Sequence, residues 1–393
     1  IYLDYILDRY SKTPMKKCKP LIRSLLRMGA YQILFMDVRD AAACSEAVSL
    51  AKKRGFGRLS GFVNGVLRTI VREKDRLPVP DKKEFDKYLS ITYSVPEWLS
   101  RLMIDQYDAQ TAETMFASFL EARPLTIRTN LSVITPEALE EELKKEGVSV
   151  ERGTYLPYAL TISHLNYLGK LAAFRQGKFA VQDESSQLAV EVADINEGDF
   201  VLDVCAAPGG KTFHAADRLH GTGKVLSRDL TEYKTDLIEE NKDRMCYENV
   251  EVQQWDALVE DESLLESVDV LLADLPCSGL GIMGRKNDIK YQMTQQQLFE
   301  LAQLQRNILS VIWKYVKPGG EMIFSTCTLN RGENVENIRW IEENTPMRLV
   351  SIEDYLPENL KGRTGSQGYL QLIPGKDSCD GFFISKFERP EAR

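Results

Sequence analysis

The stretch that most constrains this 393-residue chain is FVLDVCAAPGGKT, residues 200–212. The apolar residues 200–204 predict a short buried strand, and the small residues after them predict a tight turn into a helix that begins near Gly209 and Gly210. Glycine lets the backbone approach a ligand closely because it has no Cβ atom. The first turn of a helix presents unpaired N–H groups and the positive end of its dipole. The stretch therefore predicts a site for an adenosyl ligand that carries a carboxylate.

The glycines do not match GxxxxGK[ST] or GxGxxG, so neither a P-loop nor a dinucleotide fingerprint is indicated. The alternative is a tight strand-to-helix turn with no ligand. From about residue 185 onward, apolar runs alternate with helical patterns, which predicts a mostly parallel sheet covered on both faces. The strands are predicted at 200–204, 224–228, 250–254, 268–273, 321–325, 348–352 and 381–387, and the helices at 231–245, 294–316 and 334–344.

The upstream part of the chain has a different pattern. Residues 1–75 carry apolar residues at helical spacing throughout, and LPVPDKK at 77–83 reads as a connection. The predicted organisation is multidomain: an all-α helical domain at 1–76, a helical linker at 77–122, a small α+β subdomain at 123–184 and an α/β Rossmann-like domain at 185–393.

Charge is distributed unevenly along the chain. Residues 1–80 contain 16 basic and 7 acidic residues, whereas the remainder contains 34 basic and 51 acidic residues. A cationic front segment on an acidic body suggests a polyanionic partner that binds the front end, although a solvated helical face without a partner gives the same count.

Seven scattered cysteines without a CxxC pair, together with three histidines, support neither a disulfide framework nor a metal site. They predict a reducing, cytoplasmic setting. No apolar run approaches the length needed to span a bilayer, so no membrane association is expected.

Acidic and thiol side chains follow the predicted strands. Asp229 follows the second strand, where a carboxylate accepts hydrogen bonds from a ribose, and Asp256 follows the third, where it would meet the adenine edge. Each alone is also typical of a turn or helix cap. The fourth strand leads into Asp274 and Cys277, and the fifth into Cys327.

Two cysteines beside a methyl-donor pocket indicate carbon methylation of a pyrimidine. C5 of cytosine is too weak a nucleophile, but addition of a thiolate at C6 turns the ring into an enamine whose C5 attacks the methyl group. A thiolate suits this reaction because it is strongly nucleophilic and also a fair leaving group. An amine methyltransferase would instead show an aromatic residue where Cys277 stands.

The chain resembles the RNA cytosine-C5 methyltransferases of the Sun/RsmB group. The segments that carry the resemblance are CAAPGGKT (205–212), DLPCSGLG (274–281), STCTL (325–329), GENVENI (332–338) and DGFFISKF (380–387). Residues 1–76 resemble the NusB-like RNA-binding domain of the same group, N-terminally truncated, through MGAYQILF (28–35) and GFVNGVLR (61–68).

The resemblance implies roles for individual residues. S-adenosyl-L-methionine would be held by Cys205, Ala206, Ala207, Pro208, Gly209, Gly210, Lys211, Asp229, Asp256 and Asp274. Cys327 would be the nucleophile, Cys277 would assist breakdown of the covalent adduct, and Asp274 would contact the target base.

The expected activity is transfer of a methyl group to C5 of a cytosine in 16S ribosomal RNA, naked or partly assembled. Two alternatives remain open at this point. One is a transfer RNA cytosine-C5 methyltransferase, and the other is a non-catalytic RNA-binding or antitermination factor.

Overall fold

The computed structural model describes residues 1–165 and 167–391. The chain forms two compact units, Ile1–Phe116 and Ala117–Arg393. None of the described helices is both long and apolar enough to cross a membrane.

The first unit is helical, with no strand among its described residues. Its second helix buries Ile22, Leu25, Ala30 and Ile33 at three- to five-residue intervals, so that one face packs into the core of the unit. This agrees with the helical spacing in the sequence. The helices are α1 (Tyr2–Tyr10), α2 (Pro20–Phe35), α3 (Asp40–Lys53), α4 (Ser60–Glu73), α5 (Phe85–Thr92), α6 (Glu97–Tyr107) and α7 (Ala109–Ser118).

The second unit begins with a small antiparallel sheet. Its elements are β1 (Leu125–Thr129), α8 (Pro136–Lys145), β2 (Ser149–Arg152), β3 (Ala159–Ser163), α9 (Ala172–Arg175) and β4 (Phe179–Val181). The strand order is β2-β3-β1-β4. The buried face of this sheet meets the apolar side of α8, where Leu139 and Leu143 pack against Leu160.

The larger sheet has eight strands among the described residues: β5 (Phe200–Asp203), β6 (Lys224–Asp229), β7 (Val250–Gln254), β8 (Val268–Asp274), β9 (Val316–Thr326), β10 (Arg348–Leu349), β11 (Tyr369–Leu372) and β12 (Phe382–Glu388). Their order is β10-β12-β9-β8-β5-β6-β7, with β11 paired to β12. Strands β5 to β9 are parallel, and β10, β11 and β12 run antiparallel to their neighbours. The helices are α10 (Glu184–Val192), α11 (Gly210–Arg218), α12 (Glu232–Met245), α13 (Ile289–Gln292), α14 (Gln295–Ile312) and α15 (Val335–Asn344).

Each face of the large sheet has its own apolar core. Successive strands run outward from β5 in both directions, toward β7 on one side and β9 on the other. A crevice beyond the carboxyl ends of β5 and β8 is the place where such sheets bind ligands. The predicted multidomain fold, with a helical front, a small α+β part and a Rossmann-like α/β domain, is confirmed.

Three predicted elements differ from the structure, and one strand was not predicted. The strand predicted at 348–352 has only two paired residues, because the chain turns into a short 3₁₀ helix at Glu353–Tyr355. Helix α14 ends at Ile312, and β9 already begins at Val316, ahead of its glycine pair. Strand β11 was not predicted, since its four residues are too short to show a periodicity.

Candidate active site

The turn between β5 and α11 forms the floor of a cleft. Gly209 precedes the helix with a left-handed backbone (φ 100°), and a Cβ atom there would lie 2.3 Å from the Phe213 ring. Only glycine suits that position. The cleft has a volume of about 170 Å³. It is lined by Val181, Gln182, Asp183, Ser186, Asp203, Cys205, Ala206, Ala207, Pro208, Gly210, Lys211 and Asp274.

Two buried polar atoms on this cleft have no partner among the described residues. They are Oδ1 of Asp203 and Nε2 of Gln182, whose residues are 1% and 5% exposed. Burial raises the pKa of Asp203 to about 7. Leaving such atoms unpaired is costly, so a polar ligand in the cleft fits them. The cleft residues therefore fit an adenosyl compound with an amino-acid end.

Asp229, the last residue of β6, is buried and holds the glycine turn from the side. Its Oδ2 accepts a hydrogen bond from Ala207 N at 3.0 Å, and its Oδ1 accepts from Leu230 N at 2.7 Å and from Lys234 Nζ at 2.9 Å. These contacts fix the carboxylate beside the cleft. Its binding of a ribose stays a prediction.

Asp256 lies apart from these residues on an exposed turn after β7. Its Oδ1 accepts a hydrogen bond from Leu258 N at 2.9 Å, as in a turn cap. Asp256 does not line the cleft described above. Its contact with an adenine stays a prediction.

Asp274, the last residue of β8, connects the cleft with the cysteines. Its Oδ2 accepts from Lys211 Nζ at 2.6 Å, and its Oδ1 accepts from Ser325 Oγ at 3.0 Å. Lys211 also donates to Ser186 Oγ at 2.8 Å. The Lys211 side chain is nearly buried, whereas the Asp274 side chain is 30% exposed, so the carboxylate end of this charge pair remains accessible. The pair orients Asp274 at the edge where β5, β8 and β9 end.

The two cysteine thiols are in contact. Cys277 Sγ lies 3.2 Å from Cys327 Sγ, and both residues are half-buried. The hydrogen bond with Cys327 and burial raise the pKa of Cys277 well above that of an ordinary thiol. Cys277 therefore keeps its proton at neutral pH and can donate it to the sulfur of Cys327.

Two glycines hold the loop after Cys277 against the Cys327 loop. Gly281 N donates to the Cys327 carbonyl at 3.0 Å, and Gly381 N donates to the Gly281 carbonyl at 3.0 Å. A Cβ atom on Gly281 would lie 2.0 Å from the Gly381 carbonyl oxygen. Three segments that are distant in sequence thus meet at the thiol pair.

Sequence reasoning missed several residues that the fold brings to the site. Gln182 precedes α10 and Ser186 lies in its first turn; both are distant in sequence from the glycine motif and carry no motif of their own. Asp203 could have been found, because it ends the strand that leads into the turn. Among the described residues, no group of three or more histidine, cysteine, aspartate or glutamate side chains is arranged to hold a metal ion.

The fold and the cleft define a class of protein. The central sheet is parallel and has an antiparallel strand at one side. A glycine turn follows its first strand, and an acidic residue ends the next strand. These features define a Rossmann-like, S-adenosyl-L-methionine-dependent methyltransferase domain.

Comparison with known families narrows this class. The family model of the 16S rRNA methyltransferase RsmB/F matches residues 190–388, that of the NusB family matches residues 1–72, and that of the Methyltr_RsmF/B-like, ferredoxin-like domain matches residues 95–166. This chain belongs to the 16S rRNA methyltransferase RsmB/F family, and it is therefore an S-adenosyl-L-methionine-dependent rRNA methyltransferase.

Whole-chain relatives agree with this family. A probable ribosomal RNA small subunit methyltransferase B of Bacillus subtilis (strain 168) is 36% identical over 397 residues, covering 99% of this chain and 87% of that protein. The ribosomal RNA small subunit methyltransferase B of Vibrio cholerae is 30% identical over 391 residues, covering 98% and 85%. The resemblance found in the sequence is thus confirmed.

Solved structures share the fold. The crystal structure of PH0851 superposes with a TM-score of 0.82 at 27% identity, covering 98% of this chain and 86% of that one. NSun6 from Pyrococcus horikoshii, solved with SFG, superposes with a TM-score of 0.65 at 22% identity, covering 79% and 98%. The second likeness concerns the fold alone.

Proposed function

We propose that this protein methylates C5 of a cytosine in 16S ribosomal RNA through a covalent adduct between Cys327 and C6 of the base. The observation that carries the proposal is the contact of the Cys277 and Cys327 thiols, 3.2 Å apart, beside the Asp274–Lys211 pair. A methyltransferase acting on oxygen or nitrogen has no use for two adjoining thiols. C5 of cytosine becomes nucleophilic only after a thiolate adds to C6, and a second thiol can assist the release of that adduct.

The first role belongs to Cys327. Its thiolate adds to C6 and forms a carbon–sulfur bond. The C5–C6 π bond breaks, and its electron pair makes C5 nucleophilic toward the methyl group. Asp274 would hydrogen-bond the N3 or N4 edge of the cytosine and so orient the ring. The target base must leave its stack to reach both groups.

S-adenosyl-L-methionine supplies an electrophilic methyl group when it is bound, and residues Cys205 through Lys211, Asp229, Asp256 and Asp274 would hold it. The polar atoms of Asp203 and Gln182 that lack partners among the described residues support a ligand in this cleft.

The second thiol assists release of the product. Loss of the C5 proton to a base restores the C5–C6 double bond and expels the sulfur of Cys327. Because Cys277 keeps its proton, its S–H can donate to that departing sulfur. The reaction is expected to take place in the cytoplasm, since all seven cysteines are free thiols.

The test is methyl transfer to 16S ribosomal RNA with labelled S-adenosyl-L-methionine. Cys327→Ala should lower kcat about 10³-fold or more, as expected when a covalent nucleophile is removed. Cys277→Ala should accumulate a protein–RNA adduct that survives denaturation. The matched control is Cys246→Ala, which removes an exposed thiol directly after α12 and should retain wild-type activity.

Full activity of Cys327→Ala would overturn the mechanism, and an adduct with Cys327→Ala instead of Cys277→Ala would exchange the two roles. Bisulfite mapping of ribosomal and transfer RNA from a deletion strain identifies the substrate. Loss of 5-methylcytosine from transfer RNA alone would contradict the assignment to 16S RNA.

A further inference from the structure

A buried carboxylate lies between the two loops that carry the thiols. Glu333 is 0% exposed and ends the short 3₁₀ turn Arg331–Glu333 that precedes α15. It accepts hydrogen bonds from Ser278 N at 2.8 Å, Ser278 Oγ at 2.6 Å, Asn330 Nδ2 at 3.0 Å and Gln305 Nε2 at 3.2 Å. Two of these four bonds come from Ser278, the residue that follows Cys277.

The residue before Cys277 is held by the same network. Gln305 Nε2 donates to the Pro276 carbonyl at 2.8 Å as well as to Glu333. Asn337 Nδ2 in turn donates to Gln305 Oε1 at 2.7 Å, which fixes the orientation of that amide. Both chain neighbours of Cys277 are therefore anchored to groups that meet at Glu333.

The Cys327 loop is anchored by the next residue along the chain, Asn334. Thr326 Oγ1 donates to Asn334 Oδ1 at 2.6 Å, and Asn334 Nδ2 donates to the Thr328 carbonyl at 3.1 Å. The two loops are then joined directly, because Ser278 Oγ lies 2.6 Å from Thr328 Oγ1. Cys277 and Cys327 each sit between two residues that this network holds.

The hydrogen bonds around Glu333 favour its ionised form. Ser278 N, Asn330 Nδ2 and Gln305 Nε2 can act only as donors, and all three bond to the carboxylate oxygens. Burial raises the pKa of Glu333, and the donors from Ser278, Asn330 and Gln305 act against that rise. The carboxylate is thus surrounded by donors from both sides of the thiol pair.

We propose that Glu333 is a positioning residue that holds the Cys277 loop against the Cys327 loop and so sets the separation of the two thiols. The inference rests on the proposed two-thiol function and adds the element that aligns it. A buried charge is costly unless it is fully hydrogen-bonded. The donors to Glu333 are Ser278, next to Cys277, Asn330, three residues after Cys327, and Gln305, which also holds Pro276. A misplacement of about 1 Å in a catalytic group costs about 10²-fold in rate.

The decisive variant is Glu333→Gln, which keeps the shape but turns one oxygen into an N–H donor facing other donors. We expect kcat for 16S ribosomal RNA to fall about 10- to 100-fold. KM for RNA and the Kd for S-adenosyl-L-methionine should stay within about twofold of wild type, since Glu333 does not line the cleft. Glu336→Gln is the matched control, because Glu336 is exposed in the first turn of α15, three residues after Glu333.

A second measurement needs no activity. Equilibration with oxidised and reduced glutathione converts the two thiols of the protein and one glutathione disulfide into a Cys277–Cys327 disulfide and two glutathione thiols. Mass spectrometry gives the ratio of disulfide to dithiol protein, and this ratio at known glutathione concentrations defines the effective concentration of one thiol at the other. We expect this effective concentration to fall at least about tenfold in Glu333→Gln, because a disulfide forms only between thiols held in a specific geometry. Ser278→Ala, which removes the bridging hydroxyl, should shift both measurements in the same direction and serves if Glu333→Gln does not fold.

Wild-type kcat together with a wild-type disulfide equilibrium in Glu333→Gln or Ser278→Ala would overturn this inference. Failure of the proposed function is a separate result, namely an active Cys327→Ala. A shifted disulfide equilibrium alongside an active Cys327→Ala would leave the positioning role standing and remove the covalent mechanism.

Discussion

His214 on α11 is a buried histidine that the proposed reaction does not use. Its Nε2 lies 3.3 Å from Glu191 Oε1 and 3.2 Å from the Tyr158 hydroxyl, while its buried Nδ1 has no partner among the described residues. Burial lowers the pKa of His214 to about 4. A proton on Nδ1 would have no acceptor there, so the folded protein keeps this imidazole neutral.

This depressed pKa makes stability dependent on pH. In the unfolded chain a histidine titrates near its ordinary pKa of about 6.5, so between pH 6.5 and 4 the unfolded state binds a proton that the folded state does not. Stability from His214 is therefore present above pH 6.5 and is lost as the pH falls toward 4, by roughly 3 kcal/mol in total. Asp203 has the opposite effect on stability, because its pKa is raised to about 7 in the folded protein. Between its ordinary pKa of about 3.9 and pH 7 the folded state binds the extra proton, so the stability from Asp203 decreases as the pH rises.

A comparison of variants isolates the histidine. We expect the free energy of unfolding of wild type relative to His214→Gln to fall by about 2 to 3 kcal/mol between pH 7 and pH 4.5, measured by urea denaturation. His220→Gln, an exposed histidine, should show no such trend. A wild-type to His214→Gln difference that stays constant with pH would contradict a neutral, buried His214.

At the scale of elements, one buried ion pair connects the small sheet with the helix that follows the glycine turn. Arg128 on β1 donates through Nη1 to Asp217 Oδ2 on α11 at 2.9 Å, and the residues are 0% and 3% exposed. Asp217 also accepts from Leu131 N at 3.1 Å and from Ser132 N at 2.9 Å. The carboxylate thus fastens the loop after β1 to α11.

Removing one partner of this pair should be costly. We expect Asp217→Ala to lower the free energy of unfolding by about 3 to 5 kcal/mol, because it leaves the Arg128 guanidinium buried and unpaired. Chemical denaturation measures this, and Asp236→Ala on the exposed side of α12 should change stability by less than about 0.5 kcal/mol. A loss for Asp217→Ala no larger than that of the control would show that the pair is not needed to join the small sheet to α11.

At the scale of the whole molecule, charge separates the front of the chain from the rest. Residues 1–80 carry a net charge of +9 and residues 81–393 a net charge of −17, so we expect attraction to RNA phosphates to be concentrated at the front. Three exposed basic residues lie at the C-terminal end of α3: Lys52 and Lys53 in its last turn and Arg54 directly after it. Phosphate contacts release counterions, which makes RNA affinity fall as salt is added.

Replacing these three residues by alanine should make the plot of log affinity against log salt concentration less steep by about 1 to 2, measured with full-length protein and a 16S ribosomal RNA fragment. Lys314→Ala with Lys317→Ala is the control, since both lysines are paired with carboxylates at the opposite end of β9 from Cys327. An unchanged slope in the triple variant would exclude this end of α3 from the RNA interface.

Much of the fold was predictable because its signals are local. The alternation of apolar runs and helical spacing predicted five parallel strands and the helices between them, and Gly209 with Gly210 marked the start of α11 within one residue. The short strand β11 escaped prediction, since its place is set by pairing with β12 and not by its own four residues. The domain boundaries proposed from composition, at 76, 122 and 184, stay predictions.

For the site, the chemical groups at the strand ends could be read from the sequence: the glycine turn, Asp274, Cys277 and Cys327. Parallel strands place their carboxyl ends along one edge of the sheet, so motifs far apart in the chain converge there for a local reason. The packed fold alone shows that the two sulfurs lie in contact, that Asp203 and Gln182 line the cleft, and that Ser278 donates to Glu333. These contacts join residues 50 or more positions apart or on separate elements, and no pattern within a short segment encodes which side chains will pack together once the sheet has formed.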